Sequence, residues 1–368
     1  MNSKEKTIVM RVLFVLLGLA LTAGLISLVT VLNTDASYPV PLEPNAQALP
    51  ETTESPLAVS EMPEDAYMPV RLTFCGSCTP GSMLGSDSYG TFNELLAAEG
   101  TGYFLEPLRK IFLTDDVTVS VCDAVLSDAE ERTPALRTVP EWYRGPADAA
   151  HVFADGGIDV LSLHAYHTWD YGADGYTDTA AALENAGLAW CDHGKAFYHE
   201  QEGITAALYC RYVDEETDAD AVRVWLENAG NYDFTAVYIV TPPTGSYLPD
   251  ESRQTMFRAF ADAGADLVVG TDTERIQPCE VWGDSRIVYS LGALLDGRNK
   301  YPDPYTLVLG AELQVIDGEL RNVEYDLLPC RTYDDGHPWR PYPLEDAAEI
   351  RTVSEFLSGK RDTPRSEG

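Results

Sequence analysis

Positive charge is scarce in this chain of 368 residues: 25 Lys and Arg stand against 59 Asp and Glu, for a formal net charge of −34. That balance excludes tight binding to nucleic acid or to an acidic membrane surface, because like charges repel. Cations and cationic partners are the expected company. Cysteine forms no dense framework either. The residues at 75, 78, 122, 191, 210, 279 and 330 are odd in number and scattered, unlike a small disulfide scaffold. Cys75 and Cys78 make a C-x-x-C without a second pair, so the thiols read as buried, with room for one or more bridges in an oxidising compartment. No internal repeat is evident. Residues 33–68 lack any apolar period that could build a core and are rich in Pro, Glu, Ser and Thr, which predicts a flexible stalk.

What is present begins with one long apolar run. Val12 to Leu32 carries no charge over 21 residues and follows Lys4, Lys6 and Arg11. Its length suits a single transmembrane anchor, with residues 1–11 as a cytoplasmic tip and the remainder of the chain outside the cell. A leader cleaved near Ala36 is the alternative. Beyond the stalk the apolar fraction, 45% over the whole chain with 10% aromatics, is that of a globular protein.

From Val70 onward, short β-branched runs alternate with amphipathic segments. Val70–Phe74, Val117–Val121, Asp159–Leu163, Thr205–Tyr209, Ala236–Val240, Asp266–Gly270 and Arg286–Gly292 read as buried strands. Tyr103–Phe112, Pro146–Ala154, Thr177–Ala186 and Glu251–Ala263 read as helices, with Gly156, Gly187 and Gly264 as stops. This alternation predicts an α/β domain over residues 69–330 with a mainly parallel core, whose ligands sit where strands end and loops begin. Thr306–Leu328, turning at Asp317-Gly318, reads as an antiparallel hairpin. Residues 331–368 are expected to form an extension whose helix, ending near Leu357, packs on the domain.

Several ordered segments carry a family resemblance. They are Phe74 to Ser77, Asp159-Val-Leu-Ser-Leu-His-Ala-Tyr-His-Thr-Trp-Asp-Tyr-Gly172, Ala263-Gly-Ala-Asp-Leu-Val-Val-Gly270, Ile276-Gln-Pro278 and Tyr289-Ser-Leu-Gly292. In order and spacing they resemble the CapA-type capsule (poly-γ-glutamate) synthesis family. The resemblance implies a two-sheet αββα sandwich like that of metallophosphoesterases, with a two-cation site at the strand ends that clamps a phosphate-like group and activates water. The family pattern has Gly-Asp after the first strand, then Asn-x-Glu, Asn-Asn-His, His-Trp-Gly-x-Glu and Gly-x-His-x-His.

This chain departs from that pattern almost everywhere. Gly76-Ser77 stands for Gly-Asp, Cys122-Asp123-Ala124 for Asn-x-Glu, Ala165-Tyr166 for Asn-Asn, Pro242-Pro243 for His-Trp, and Asp272 and Glu274 for the paired imidazoles. Among Ser77, Ala124, Tyr166, His167, Pro242, Asp272 and Glu274, only His167 keeps its family type. Serine, alanine, tyrosine and proline lack the charge and the nitrogen donors that hold zinc or manganese, so a centre of the family type is doubtful on sequence. Asp123, Asp272 and Glu274 are candidate oxygen ligands for weakly bound calcium or magnesium, weighed against plain solvated carboxylates. His167 with Asp170 is the candidate catalytic pair, weighed against a structural hydrogen bond. Ser77, His164, Tyr166, Trp169, Tyr247 and Tyr289 are expected to line the pocket.

Three functions follow from this reading. The first is a membrane-anchored capsule or surface-polymer assembly protein with its chemistry lost, whose partners are the polymer and capsule-synthesis membrane proteins. The second is a metal-dependent hydrolase or transferase with a rearranged ligand set. The third is an acidic surface interaction protein.

Overall fold

The computed structural model describes residues 67–365 apart from 85–89, 131–133, 135–140, 230–231, 272–273, 300 and 335. The apolar run at 12–32 and the stalk as far as residue 66 lie outside the described residues. Among the described residues, no helix is long and apolar enough to cross a membrane.

The fold is mixed α/β, with several sheets and helices. The larger sheet holds β1 (Met68–Thr79), β3 (Val117–Cys122), β6 (Val160–Ser162) and β7 (Ala189–Cys191) side by side and parallel, with β14 (Ala293–Asp296) pairing with the end of β1. On the other flank β1 pairs antiparallel with β15 (Tyr305–Ile316), then come β16 (Glu319–Arg331) and β17 (Tyr342–Pro343). The second sheet runs β12 (Ile276–Trp282), β13 (Ser285–Leu291), β11 (Leu267–Thr271), β10 (Phe234–Val240), β9 (Ile204–Tyr212), β8 (Phe197–Gln201), parallel from β13 to β9. A small sheet of β2 (Ser82–Met83), β5 (Tyr143–Gly145) and β4 (Val125–Leu126) flanks the rim.

Strand alternation divides the interior into layers, since successive side chains point to opposite faces. Phe74, Val119 and Val121 of the larger sheet meet Leu208, Tyr238 and Val269 of the second in one core. Val237, Ile239 and Val268 face the other way, under α5 (Glu216–Asn228) and α6 (Glu251–Asp262). The outer face of the larger sheet is covered by α1 (Phe92–Glu99), α2 (Glu106–Phe112), α3 (Ala150–Gly156) and α4 (Gly172–Asn185) through Phe92, Leu108, Phe153 and Leu183. Helix α7 (Ala347–Leu357) puts Val353, Phe356 and Leu357 into the inter-sheet core, so the C-terminal extension is part of the fold.

All seven expected strands are present, and the hairpin turns where expected, with Asp317 at φ 53° and Gly318 at φ 78°. The Tyr103–Phe112 helix is interrupted: a short 3-10 turn over Thr101–Tyr103 precedes α2, whose first turn carries Pro107, a residue suited to a helix start. The stop expected at Gly156 falls one residue later, because Gly157, at φ 91°, takes the left-handed position while buried Gly156 closes against Leu105.

Cys191 at the end of β7 is bonded to Cys210 of β9, joining the two sheets across a sequence separation of 19 residues. The remaining cysteines are free and buried, including Cys75 and Cys78 of the C-x-x-C, and burial pushes the Cys78 thiol up to about 12. Closing a loop of this length stabilises by about 3 kcal/mol in the chain-entropy picture. Replacing Cys191 and Cys210 together by Ala is expected to lower the unfolding free energy by about that amount in denaturant titration. A double variant as stable as the parent would show that the bridge adds nothing to the contact between sheets.

Candidate functional site

The parallel strands of both sheets end on one rim, and the chain is tied together there by polar groups. The Ser77 amide, at the end of β1, donates to Thr271 Oγ1 at 3.1 Å and to the Gly292 carbonyl at 3.3 Å. Thr271 Oγ1 in turn donates to the same carbonyl at 2.9 Å. Gly76 lies so close to that crossing that a Cβ would stand 2.2 Å from the Gly292 oxygen. Glycine is required there by close approach.

Below this knot, the loop after β6 folds back on itself. The Thr168 hydroxyl accepts from the Ala165 amide at 3.2 Å and donates to the Cys122 carbonyl at 3.4 Å, while the Asp170 amide reaches the His167 carbonyl at 3.1 Å. These bonds bury His167, which is 2% exposed, between the ring edges of Tyr143 and Tyr166 at 4.6 and 4.8 Å. Its Nδ1 is 2.9 Å from Asp170 Oδ2, an oxygen that also accepts the Tyr143 amide at 2.7 Å. A carboxylate accepts, so Nδ1 carries the proton in this pair.

Asp123 is wholly buried at the end of β3, and its Oδ1 accepts the His167 amide at 2.6 Å. Its Oδ2 is buried with no hydrogen-bond partner among the described residues. Burial pushes this carboxyl above the usual carboxylate range, with the His167 imidazole and the Arg298 guanidinium pulling against the rise. Arg298 follows β14 and is held by Asp296 at 2.6 Å and by Glu274 at 3.5 Å.

The expected site residues thus separate into groups. Asp123, His167 and Asp170 come together, and Tyr166 covers the imidazole. Ser77 sits at the neighbouring strand end, held through its backbone. Glu274 is at the rim beside Arg298 with its side chain 46% exposed. Asp272 lies outside the described residues. His164 shares the loop, but its Nδ1 accepts the Tyr212 amide at 3.0 Å and its ring lies 4.6 Å from that of His193. Burial, His193 and Arg211 lower it to about 4, so it is neutral at physiological pH. Trp169 faces outward against Tyr176.

Two expected pocket residues are elsewhere. Tyr289 alternates to the helix-facing side of its strand, stacks on Phe257 at 5.4 Å and donates to Glu280 Oε1 at 2.5 Å. Tyr247 packs on Phe356 of α7, donates to Asp303 Oδ2 at 2.5 Å and accepts from Arg365 Nε at 2.8 Å, under the C-terminal tail. Arg298, Tyr143 and Thr271 were not expected at the rim. Only Thr271 carried a signal, as the hydroxyl directly after the Gly270 strand end.

The chain's relatives bear on this rim. The sequence profile described as "Bacterial capsule synthesis protein PGA_cap" matches residues 71–204 and 192–298, the region that contains every rim residue named above. The chain belongs to this family. It is similar to the "Capsule biosynthesis protein CapA" of Bacillus anthracis, 26% identical over 165 residues, which is 38% of this chain and 40% of that protein. It is also similar to the "PGA biosynthesis protein CapA" of Bacillus subtilis (strain 168), 26% identical over 171 residues, 39% of this chain and 44% of that one. The matched stretch spans less than half the length of either relative. A solved structure of a hypothetical protein from Thermus thermophilus covers 71% of this chain and 99% of its own at 14% identity, with a TM-score of 0.41.

In this family member the buried carboxylate of Asp123 serves as an acceptor for a backbone amide. An Asp123→Asn variant keeps an oxygen for the His167 amide and removes a desolvated charge, so its thermal unfolding, followed by circular dichroism, should resemble the parent's. Asp123→Ala leaves that amide without a partner and should cost about 1–3 kcal/mol. If Asn destabilises as much as Ala, the charge itself is required and the acceptor account fails.

Proposed function

We propose that this PGA_cap family member is anchored in the membrane by residues 12–32, faces the outside of the cell, and takes part in assembling a capsule or poly-γ-glutamate-type surface polymer. At its rim it binds rather than cuts. The observation that carries this reading is the use to which the rim's donors are put. Asp123 Oδ1 holds the His167 amide, His167 Nδ1 is joined to Asp170, and the Ser77 amide is spent on Thr271 and Gly292. Ala124, fully buried, stands where the family pattern has a carboxylate.

The residues present do not fit a two-cation centre of zinc or manganese. Such a centre needs several converging carboxylates and imidazoles, and four of the seven family positions hold serine, alanine, tyrosine and proline, which leaves one imidazole, His167, with Asp272 and Glu274. The four-layer packing of helix, sheet, sheet and helix agrees with a metallophosphoesterase-like sandwich whose strand-end chemistry has changed. Placement outside the cell is supported by the Cys191–Cys210 bridge, since disulfides persist in oxidising compartments.

One observation favours a second reading, in which a hydrolase or transferase uses a rearranged set including His167, Asp170, Asp123 and Glu274. The buried Asp123 Oδ2 lacks a partner among the described residues, which is where a ligand atom would be received. Weak calcium or magnesium would belong to this reading.

Deleting the gene is expected to lower the amount of surface polymer on whole cells, and restoring the full chain with His167→Gln should return most of it. Polymer unchanged by deletion would refute the assembly role. Restoration by the parent but not by His167→Gln, together with phosphodiester turnover by the parent alone, would establish the enzyme reading instead.

A further inference from the structure

A row of rings lies on the surface beside the rim, and it is independent of the buried His167 group. Trp169, 37% exposed, stacks on Tyr176 of α4 at 4.6 Å with the planes 14° apart, which leaves its other face at the surface. Tyr176 meets Trp190 edge-on at 6.2 Å. The polar ends of these rings are already held: the Tyr176 hydroxyl donates to Asp192 Oδ2, and Trp190 Nε1 donates to Glu184 Oε1 at 3.0 Å. Tyr176 and Trp190 are thus fixed in place before any ligand arrives, and Tyr176 braces one face of Trp169, so less side-chain entropy remains to be lost on binding.

Carboxylates border the row, since Asp192 accepts from Tyr176 and Glu184 from Trp190. Helix α4 carries no basic residue, and between His164 and Lys195 the only Lys or Arg is Lys195 itself. That one ammonium sits over the Trp190 ring, 3.6 Å from its centroid. Within its own chain the surface thus already takes up a cation on an aromatic face beside carboxylates. Trp169 offers an equivalent face toward solvent.

We propose that the Trp169–Tyr176–Trp190 surface is a docking site for a cationic segment of a partner, a run of lysine or arginine side chains whose ammonium or guanidinium groups lie over Trp169 and beside Glu184 and Asp192. Charge complementarity selects this occupant over a polyanion, which Glu184 and Asp192 repel. The two terms reinforce each other, because a cation over a ring gains from the ring quadrupole while the carboxylates raise its local concentration.

The test is a calorimetric titration of the full chain, in a non-ionic detergent at physiological salt, with penta-lysine, penta-glutamate and a neutral chitin oligosaccharide as probes. Penta-lysine should bind, Trp169→Ala should weaken it about tenfold, and Trp169→Phe should keep most of the affinity by retaining a ring face. Glu319→Gln, on the distant 317–318 hairpin, removes one negative charge and should leave affinity unchanged. Penta-lysine binding that is indifferent to Trp169, binding that falls equally in Glu319→Gln, binding of the sugar or of penta-glutamate in its place, or no binding of penta-lysine would each overturn the proposal. Parent-like circular dichroism of Trp169→Phe ensures that its result reports on the ring.

Discussion

The contact between the two sheets is the constraint on which the rim depends. Apolar faces bring the sheets together, but they fix neither register nor the position of a strand end. Buried polar groups do, because each must find a partner. Tyr238 of the second sheet donates its hydroxyl to the Cys75 carbonyl of the larger one. At the strand ends beyond it, Thr271 uses its hydroxyl both as acceptor for Ser77 and as donor to Gly292. Sliding one sheet over the other by a single residue would orphan all of these groups at once, at about 1–3 kcal/mol each.

That knot keeps the strand ends in order. Here hydroxyls, amides and a disulfide draw loops of both sheets to one point. The Tyr212 amide of the second sheet reaches His164 of the larger one, and Cys191–Cys210 lies close by in the chain. His164, held below its ordinary range by burial, remains an uncharged acceptor. Its neighbour His167 is turned inward to Asp170 and Asp123, leaving Trp169 on the outside of the same loop. One short segment thus supplies both the buried anchor and the exposed ring.

The strands were legible because they are buried on both faces and therefore read as unbroken apolar runs. The 317–318 hairpin was legible from Asp-Gly within the β-rich stretch Thr306–Leu328. Helices α1 and α5 escaped notice although each opens with a capping box, Thr91 with Glu94 and Glu215 with Asp218, and α5 places Ala219, Val222 and Leu226 at helical spacing. Its charged residues hid that stripe. Tyr289 was misplaced by ignoring the period of two, which sends it away from the core that Val288 faces. The meeting of Asp123 with His167 followed from topology, since β3 and β6 are neighbours whose ends must adjoin. Arg298 could not be read in the same way, because its position depends on the crossing at Gly292 from one sheet to the other, and no local pattern encodes a crossing.

We infer that internal hydrogen bonds at the rim make the connections that cations would make in a two-metal site. The most direct measurement is isothermal calorimetry of zinc and manganese binding to the full chain, stripped with chelator beforehand, with His167→Ala as the paired control. Neither ion should bind with submicromolar affinity, and the two proteins should not differ. Submicromolar binding to the parent that is lost in His167→Ala would contradict the inference.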